Sequence, residues 1–156
     1  MSLAVWHLAL ASDWGAAQTS GEYAVSTRGA TVDEVGFVHA SYDYEQVCRV
    51  AARVYGSVAE PLMLLALDPY VMADVGITLE SEPGDPNDGT GERFPHLYGG
   101  AIPVTACVAE LPAHMSGGAL VLDQPVAELL RRQLDVREAA YAVVTDERGR
   151  VPTGTP

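Results

Sequence analysis

Runs and alternations of apolar residues divide this chain into short strands and short helices. Leu3 to Ala9 has strand length and carries Trp6 and His7 among its apolar positions. Ser12 or Asp13 then supplies an N-cap for a helix reaching about Thr19. Glu22 to Thr27 predicts a short strand, and Arg28 to Glu34, with Gly29 inside it, a polar connection. Gly36-Phe37-Val38-His39-Ala40-Ser41 reads as a strand feeding a helix. Ser41 or Asp43 can cap that helix, with Gln46 three residues after Asp43 as in a capping box. Val47, Val50, Ala51 and Val54 then recur at the helical period until Gly56 ends the run.

Further on, Pro61 to Leu67 is an almost unbroken apolar run, the pattern of a central strand buried on both faces. Asp68-Pro69 supplies a cap and a first-turn proline for a helix to about Asp74. Gly76 to Glu80 predicts a strand, Ser81 to Thr90 an acidic loop, and Val104 to Leu111, between Pro103 and Pro112, another strand. Beyond Ser116 the pattern gives a strand over Gly118 to Leu122, a helix over Pro125 to Leu134, a strand over Ala139 to Thr145 and a frayed end from Arg148. The result is an α+β domain over residues 1–115 with a strand/helix extension over 116–156 packing on it. The extension can cover the sheet, close over a cleft or make a homodimer contact.

Composition narrows the function classes. At 156 residues and 48 % hydrophobic content the chain suits one domain with a real core. A formal net charge of −12 works against phosphate backbones and anionic lipid, so neither nucleic acid nor membrane is an expected partner. The first residues lack a basic n-region, no apolar run approaches the ~20 residues of a span, and a cytoplasmic protein is expected. Cys48 and Cys107 lie apart in apolar segments and are read as reduced, buried thiols.

Candidate chemistry concentrates in Gly91-Glu92-Arg93-Phe94-Pro95-His96-Leu97-Tyr98-Gly99-Gly100, read as a short stiff segment between glycine hinges. It offers a carboxylate, a guanidinium, two aromatic rings and an imidazole. His7 and His39 stand on other core segments. Three imidazoles meeting in one cleft would suit acid/base work near neutral pH, although a lone strand histidine is more often a core residue bonded to a backbone carbonyl. No His-Glu-x-x-His spacing occurs and no metal is expected. Arg93 could pair with a substrate anion or with the acidic loop, and His114 is read as a surface residue.

Three of these stretches, Trp-His-Leu, Gly-Phe-Val-His-Ala-Ser and Gly-Glu-Arg-Phe-Pro-His-Leu-Tyr-Gly, resemble the signatures of domain-of-unknown-function family 952 over roughly Leu3 to Pro112. That resemblance implies a fold similar to the ADP-ribosyltransferase superfamily, a bent, mixed, split β-sheet with short helices and a nicotinamide cleft. It also implies that His7 meets the ribose of NAD. Val38 occupies the place of a nicotinamide-stacking tyrosine, with Phe37, Phe94 or Tyr98 able to substitute. Glu92 stands nearest to the glutamate that stabilises an oxocarbenium ion.

The expectation is a small-molecule enzyme with catalytic His7, His39, His96 and Glu92, and with Trp6, Phe37, Ser41, Arg93, Phe94 and Tyr98 binding substrate. NAD or a nucleotide-like metabolite is the first ligand, and no resident cofactor is called for. Two alternatives stand beside it: a binding module without chemistry, and a biosynthetic enzyme using the cleft for a non-nucleotide substrate.

Overall fold

The computed structural model describes residues 4–87 and 89–124. All of these except Gln124 belong to the first of two units into which the chain divides, Met1–Asp123. The helix expected at Pro125 to Leu134, the strand at Ala139 to Thr145 and the frayed end lie outside the described residues.

A four-stranded sheet forms the larger half of the unit. Strand β1 (Val5–Leu10) is followed by helix α1 (Ala11–Ser20). Leu10 rather than Ser12 or Asp13 is the N-cap, so Asp13 lies in the first turn, where its charge complements the helix dipole. The expected strand over Glu22 to Thr27 is two fragments, β2 (Glu22–Tyr23) and β3 (Val25–Thr27), which join different sheets. The polar connection after them folds into β4 (Ala30–Thr31) and α2 (Val32–Val35). A reciprocal capping box between Thr31 and Glu34 starts that helix, so the connection carries a local helix signal of its own.

Strand β5 (Val38–His39) leads into α3 (Tyr44–Val54). Asp43 caps α3 by accepting the Gln46 N–H at 2.8 Å. The Gln46 side chain reaches back to the Tyr42 N–H at 2.8 Å instead of to the cap residue's own. Strand β6 (Leu62–Leu67) pairs with β1 on one edge and with β10 (Cys107–Ser116) on the other. Leu62, Leu64, Leu65 and Leu67 are at most 1 % exposed, so each contributes about 1.5–3 kcal/mol of apolar burial. Hairpin partner β11 (Ala119–Leu122) completes the order β1-β6-β10-β11.

Helix α4 (Pro69–Asp74), capped by Asp68, leads to the second sheet, where β7 (Thr78–Pro83) and β5 flank β8 (Arg93–Tyr98). Two expectations need correction here. Within the Gly91 to Gly100 stretch, Arg93–Tyr98 is not an isolated loop segment but the central strand of this sheet, flanked by glycines of positive φ at Gly91, Gly99 and Gly100, and β7 runs into what was read as loop. Pro95 is tolerated because its carbonyl accepts the Ala40 N–H just past the end of β5. The donor it lacks would have served a strand that has already ended. Strand β9 (Ile102–Pro103) pairs with β2, and residues 104–106 form a single 3₁₀ turn, so the strand expected from Val104 begins only at Cys107. That strand then runs through Pro112 to Ser116.

Every strand pairing among the described residues is antiparallel, where a mixed sheet was expected. Both β1 and β10 run against β6, and β7–β8 and β10–β11 double back on themselves, so no parallel crossover arises. The main core lies on the Val5/Ala9 face of β1, against Trp14, Tyr23, Val38 and Leu97. Both cysteines are free and half-buried rather than fully buried. Burial pushes the Cys107 thiol up to about 12, which keeps it protonated and inert. No helix among the described residues is long and apolar enough to cross a membrane.

Candidate functional site

The two larger sheets are joined by a single isolated strand bridge among the described residues and then part. Trp6 of β1 and Ser41, two residues past β5, exchange backbone hydrogen bonds of 2.8 and 2.7 Å as an isolated antiparallel bridge. Beyond it β1 turns to β6 and β5 turns to β8. Helix α3 lies over the gap, and the Tyr55 hydroxyl after its last turn donates to the Leu8 carbonyl at 2.9 Å. The space left is a cleft of about 520 Å³. Trp6, His39 and Ser41 line its split, Val50 and Arg53 its helical wall, and Phe94 its far side.

His7 lies on the same face of β1 as Val5 and Ala9, which turns its ring to the core, where it is 4 % exposed. Its Nδ1 donates to the His39 carbonyl at 2.5 Å, and its Nε2 accepts the Tyr23 hydroxyl at 2.8 Å. Burial holds the imidazole down to about 4, and burial likewise raises the Tyr23 phenol, so a neutral ring meets a protonated hydroxyl. Both nitrogens are in use. His7 borders the cleft as a structural histidine without a free nitrogen for acid/base work.

His39 differs. Its Nδ1 faces the Ser26 Oγ at 3.1 Å, and the Ser26 hydroxyl donates to the Phe37 carbonyl at 2.5 Å. With that proton spent, Ser26 can only accept from His39, which puts the imidazole N–H at Nδ1 and the lone pair at Nε2. Burial first, and the neighbouring His96 second, lower its pKa, so the neutral form prevails near pH 7. Among the described residues Nε2 has no hydrogen-bond partner.

His96 sits opposite His39 in the β5–β8 register, with ring centroids 5.3 Å apart. Phe37 stacks over it at 4.1 Å and covers it, leaving 3 % exposed. Nδ1 donates to the Glu82 carboxylate at 2.8 Å, and Glu82 also accepts the Tyr98 hydroxyl at 2.6 Å. The bond from Tyr98, then that from His96, lowers the Glu82 carboxyl, while Glu82 raises the Tyr98 phenol. His96 Nε2 is buried and unpartnered. His96 does not line the cleft.

The three expected imidazoles thus form a continuous array, His7 to His39 through a backbone carbonyl and His39 to His96 ring to ring. Of the three, only His39 both borders the cleft and keeps a ring nitrogen without a hydrogen-bond partner among the described residues. Glu92 does not join them: its carboxylate takes Arg49 at 2.6 Å and the Gln46 amide at 3.3 Å. Arg93 bonds to the Ser81 backbone carbonyl and side chain across β7, outside the cleft lining. Val38 is 0 % exposed in the core, which rules it out as a stacking surface; of the expected rings Trp6 and Phe94 line the cleft, whereas Phe37 and Tyr98 belong to the His96 cluster. Sequence reasoning missed Tyr23, Ser26 and Glu82. Only the Glu80/Glu82 alternation, once β7 is paired with β8, could have pointed to the last.

A split antiparallel α+β domain with a histidine-bordered cleft is the class that these features define. The chain belongs to a family described as "Protein of unknown function (DUF952)", whose pattern matches residues 8–110. A crystal structure of protein CC0527 from Caulobacter crescentus is similar at 27 % identity and a TM-score of 0.58, covering 76 % of this chain and 93 % of that one. Its double mutant is similar at 26 % identity with the same TM-score and coverage. No functionally curated protein matches.

Proposed function

We propose that the cleft at the sheet split is the binding site of a small metabolite, with NAD or a related nucleotide the first candidate and His39 the acid/base group of any reaction there. The observation that carries the reading is a cleft that side chains do not fill, bordered by His39, whose Nε2 has no hydrogen-bond partner among the described residues. Its tautomer is fixed by Ser26 and its neutral form is favoured, as a general base near neutral pH requires. The divided sheet and a first-strand histidine favour an ADP-ribosyltransferase-like ancestry. A cytoplasmic location goes with such a substrate.

A specific observation favours the second reading, a binding module without chemistry. ADP-ribosyl transfer needs a carboxylate beside the reacting sugar, and Glu92 is held by Arg49. A cleft can persist while its reaction is lost.

Calorimetric titration with NAD, ADP-ribose and nicotinamide tests the site, and product analysis after prolonged incubation tests the chemistry. Binding with turnover that His39→Ala abolishes supports the enzyme. Binding without product in any assay supports the module. Absence of binding by all of these ligands overturns the nucleotide reading.

A further inference from the structure

The chain carries 21 acidic and nine basic side chains, and every basic one is arginine. In such a chain an arginine without a carboxylate partner calls for a reason. Of the arginines among the described residues, Arg49 pairs with Glu92, and Arg93 crosses to Ser81 outside the cleft. Arg28 and Arg53 form no salt bridge among the described residues, Arg53 acting on Glu92 only through its charge, and both line the cleft.

Both border the cleft near the end of α3. Arg53 belongs to the last turn of α3, and Arg28 reaches in from the turn after β3, where its Nη1 donates to the Val54 carbonyl at 3.1 Å. That bond uses one of several guanidinium donors and none of the charge. Two guanidinium side chains therefore border this part of the cleft, with Val50 and Val54 also in its lining. Across the cleft, Asp85 uses a carboxylate oxygen on the Asn87 N–H at 2.8 Å. The cleft is thus cationic at the end of α3 and acidic on the β7–β8 loop.

We infer that Arg28 and Arg53 form an anion subsite, so that the ligand of this cleft carries a phosphate or carboxylate group at the end that lies against the last turn of α3. The inference rests on the cleft being the ligand site, and it adds the chemical class of the ligand. Planar guanidinium forks bind such oxyanions through paired charge-assisted hydrogen bonds.

A simpler role competes: basic residues in a last helical turn complement the helix dipole. Titrating the full chain with inorganic pyrophosphate, citrate and uncharged nicotinamide, in the wild type and in Arg53→Gln, Arg28→Gln and Arg49→Gln, separates the two. The anion subsite predicts that pyrophosphate or citrate binds, that affinity falls about tenfold or more in Arg53→Gln and Arg28→Gln, and that added salt weakens it. Arg49→Gln binds as the wild type, and Arg53→Lys, which keeps the charge and loses the fork, lies in between. Preference for pyrophosphate over citrate assigns a phosphate ligand, and the reverse a carboxylate. Lower melting temperatures in Arg53→Gln with unchanged anion affinity would leave the dipole role and overturn the inference. Binding of nicotinamide or NAD without either anion overturns the subsite alone, whereas failure of every probe overturns the cleft reading with it.

Discussion

His7 Nδ1 lies 2.5 Å from the carbonyl oxygen of His39, a residue that itself borders the cleft. One imidazole therefore fixes the backbone that presents the other. With its remaining nitrogen on Tyr23, His7 joins β1, β2 and β5 where the sheets divide.

This role makes His7 a determinant of acid stability. Its folded pKa of about 4 lies below its ordinary 6.5, so the unfolded chain binds the proton more readily. The stabilisation is fully present above pH 6.5 and is lost as pH falls toward 4, by about 3 kcal/mol at most. Urea denaturation across that range measures it. His7→Gln is less stable at neutral pH and shows a flatter decline with acid; an unchanged slope would contradict the assignment.

Phe37 covers the buried His96 ring, and its removal exposes an imidazole already tied to Glu82. Phe37→Ala is expected to lower stability by about 1–3 kcal/mol, from lost stacking and half-buried apolar area, and to make His96 Nε2 solvent-accessible. Nitrogen chemical shifts of the imidazole report the second effect directly. A His96 spectrum identical to that of the wild type would show that the ring is covered by something else.

Tyr98→Phe removes the largest influence on the Glu82 carboxyl, whose pKa should then rise toward the ordinary glutamate range. Titration followed by side-chain carboxyl resonances reads the direction. No rise would place the Tyr98 hydroxyl away from Glu82.

Glu92 is engaged outside the cleft, so Glu92→Gln should leave ligand affinity unchanged, whereas Ser26→Ala should alter the pH profile of binding by releasing the His39 tautomer. Calorimetry at several pH values compares the two. Loss of binding in Glu92→Gln would return that residue to the site.

Much of the scaffold is legible in the chain, and the part that is not fails for identifiable reasons. Asp43, Gln46 and the Val47/Val50/Ala51/Val54 period announce α3, and the apolar run announces β6, because both signals are local. The Gly91 to Gly100 stretch reads as a short stiff segment between glycines, without a place in a sheet, because proline and glycine are weighed without their neighbours. Only the pairing of Pro95 with the end of β5 shows why proline costs nothing there. Rings and imidazoles were legible as candidates, but their grouping was not. Glu82 reaches His96 through the β7–β8 register, while Glu92, closer in sequence, is turned toward Arg49 on α3. Likewise Tyr23 meets His7 from a two-residue strand that no periodicity could mark.

The claim on which the functional reading turns is that the divide between the sheets, and no other surface, receives the ligand. Amide chemical-shift mapping of the full chain during titration with ADP-ribose tests it most directly. Perturbations should concentrate at Trp6, His39, Ser41, Arg53 and Phe94, around the cleft. Shifts confined to other strands, for example β10 and β11, or no shifts at saturating ligand, would contradict it.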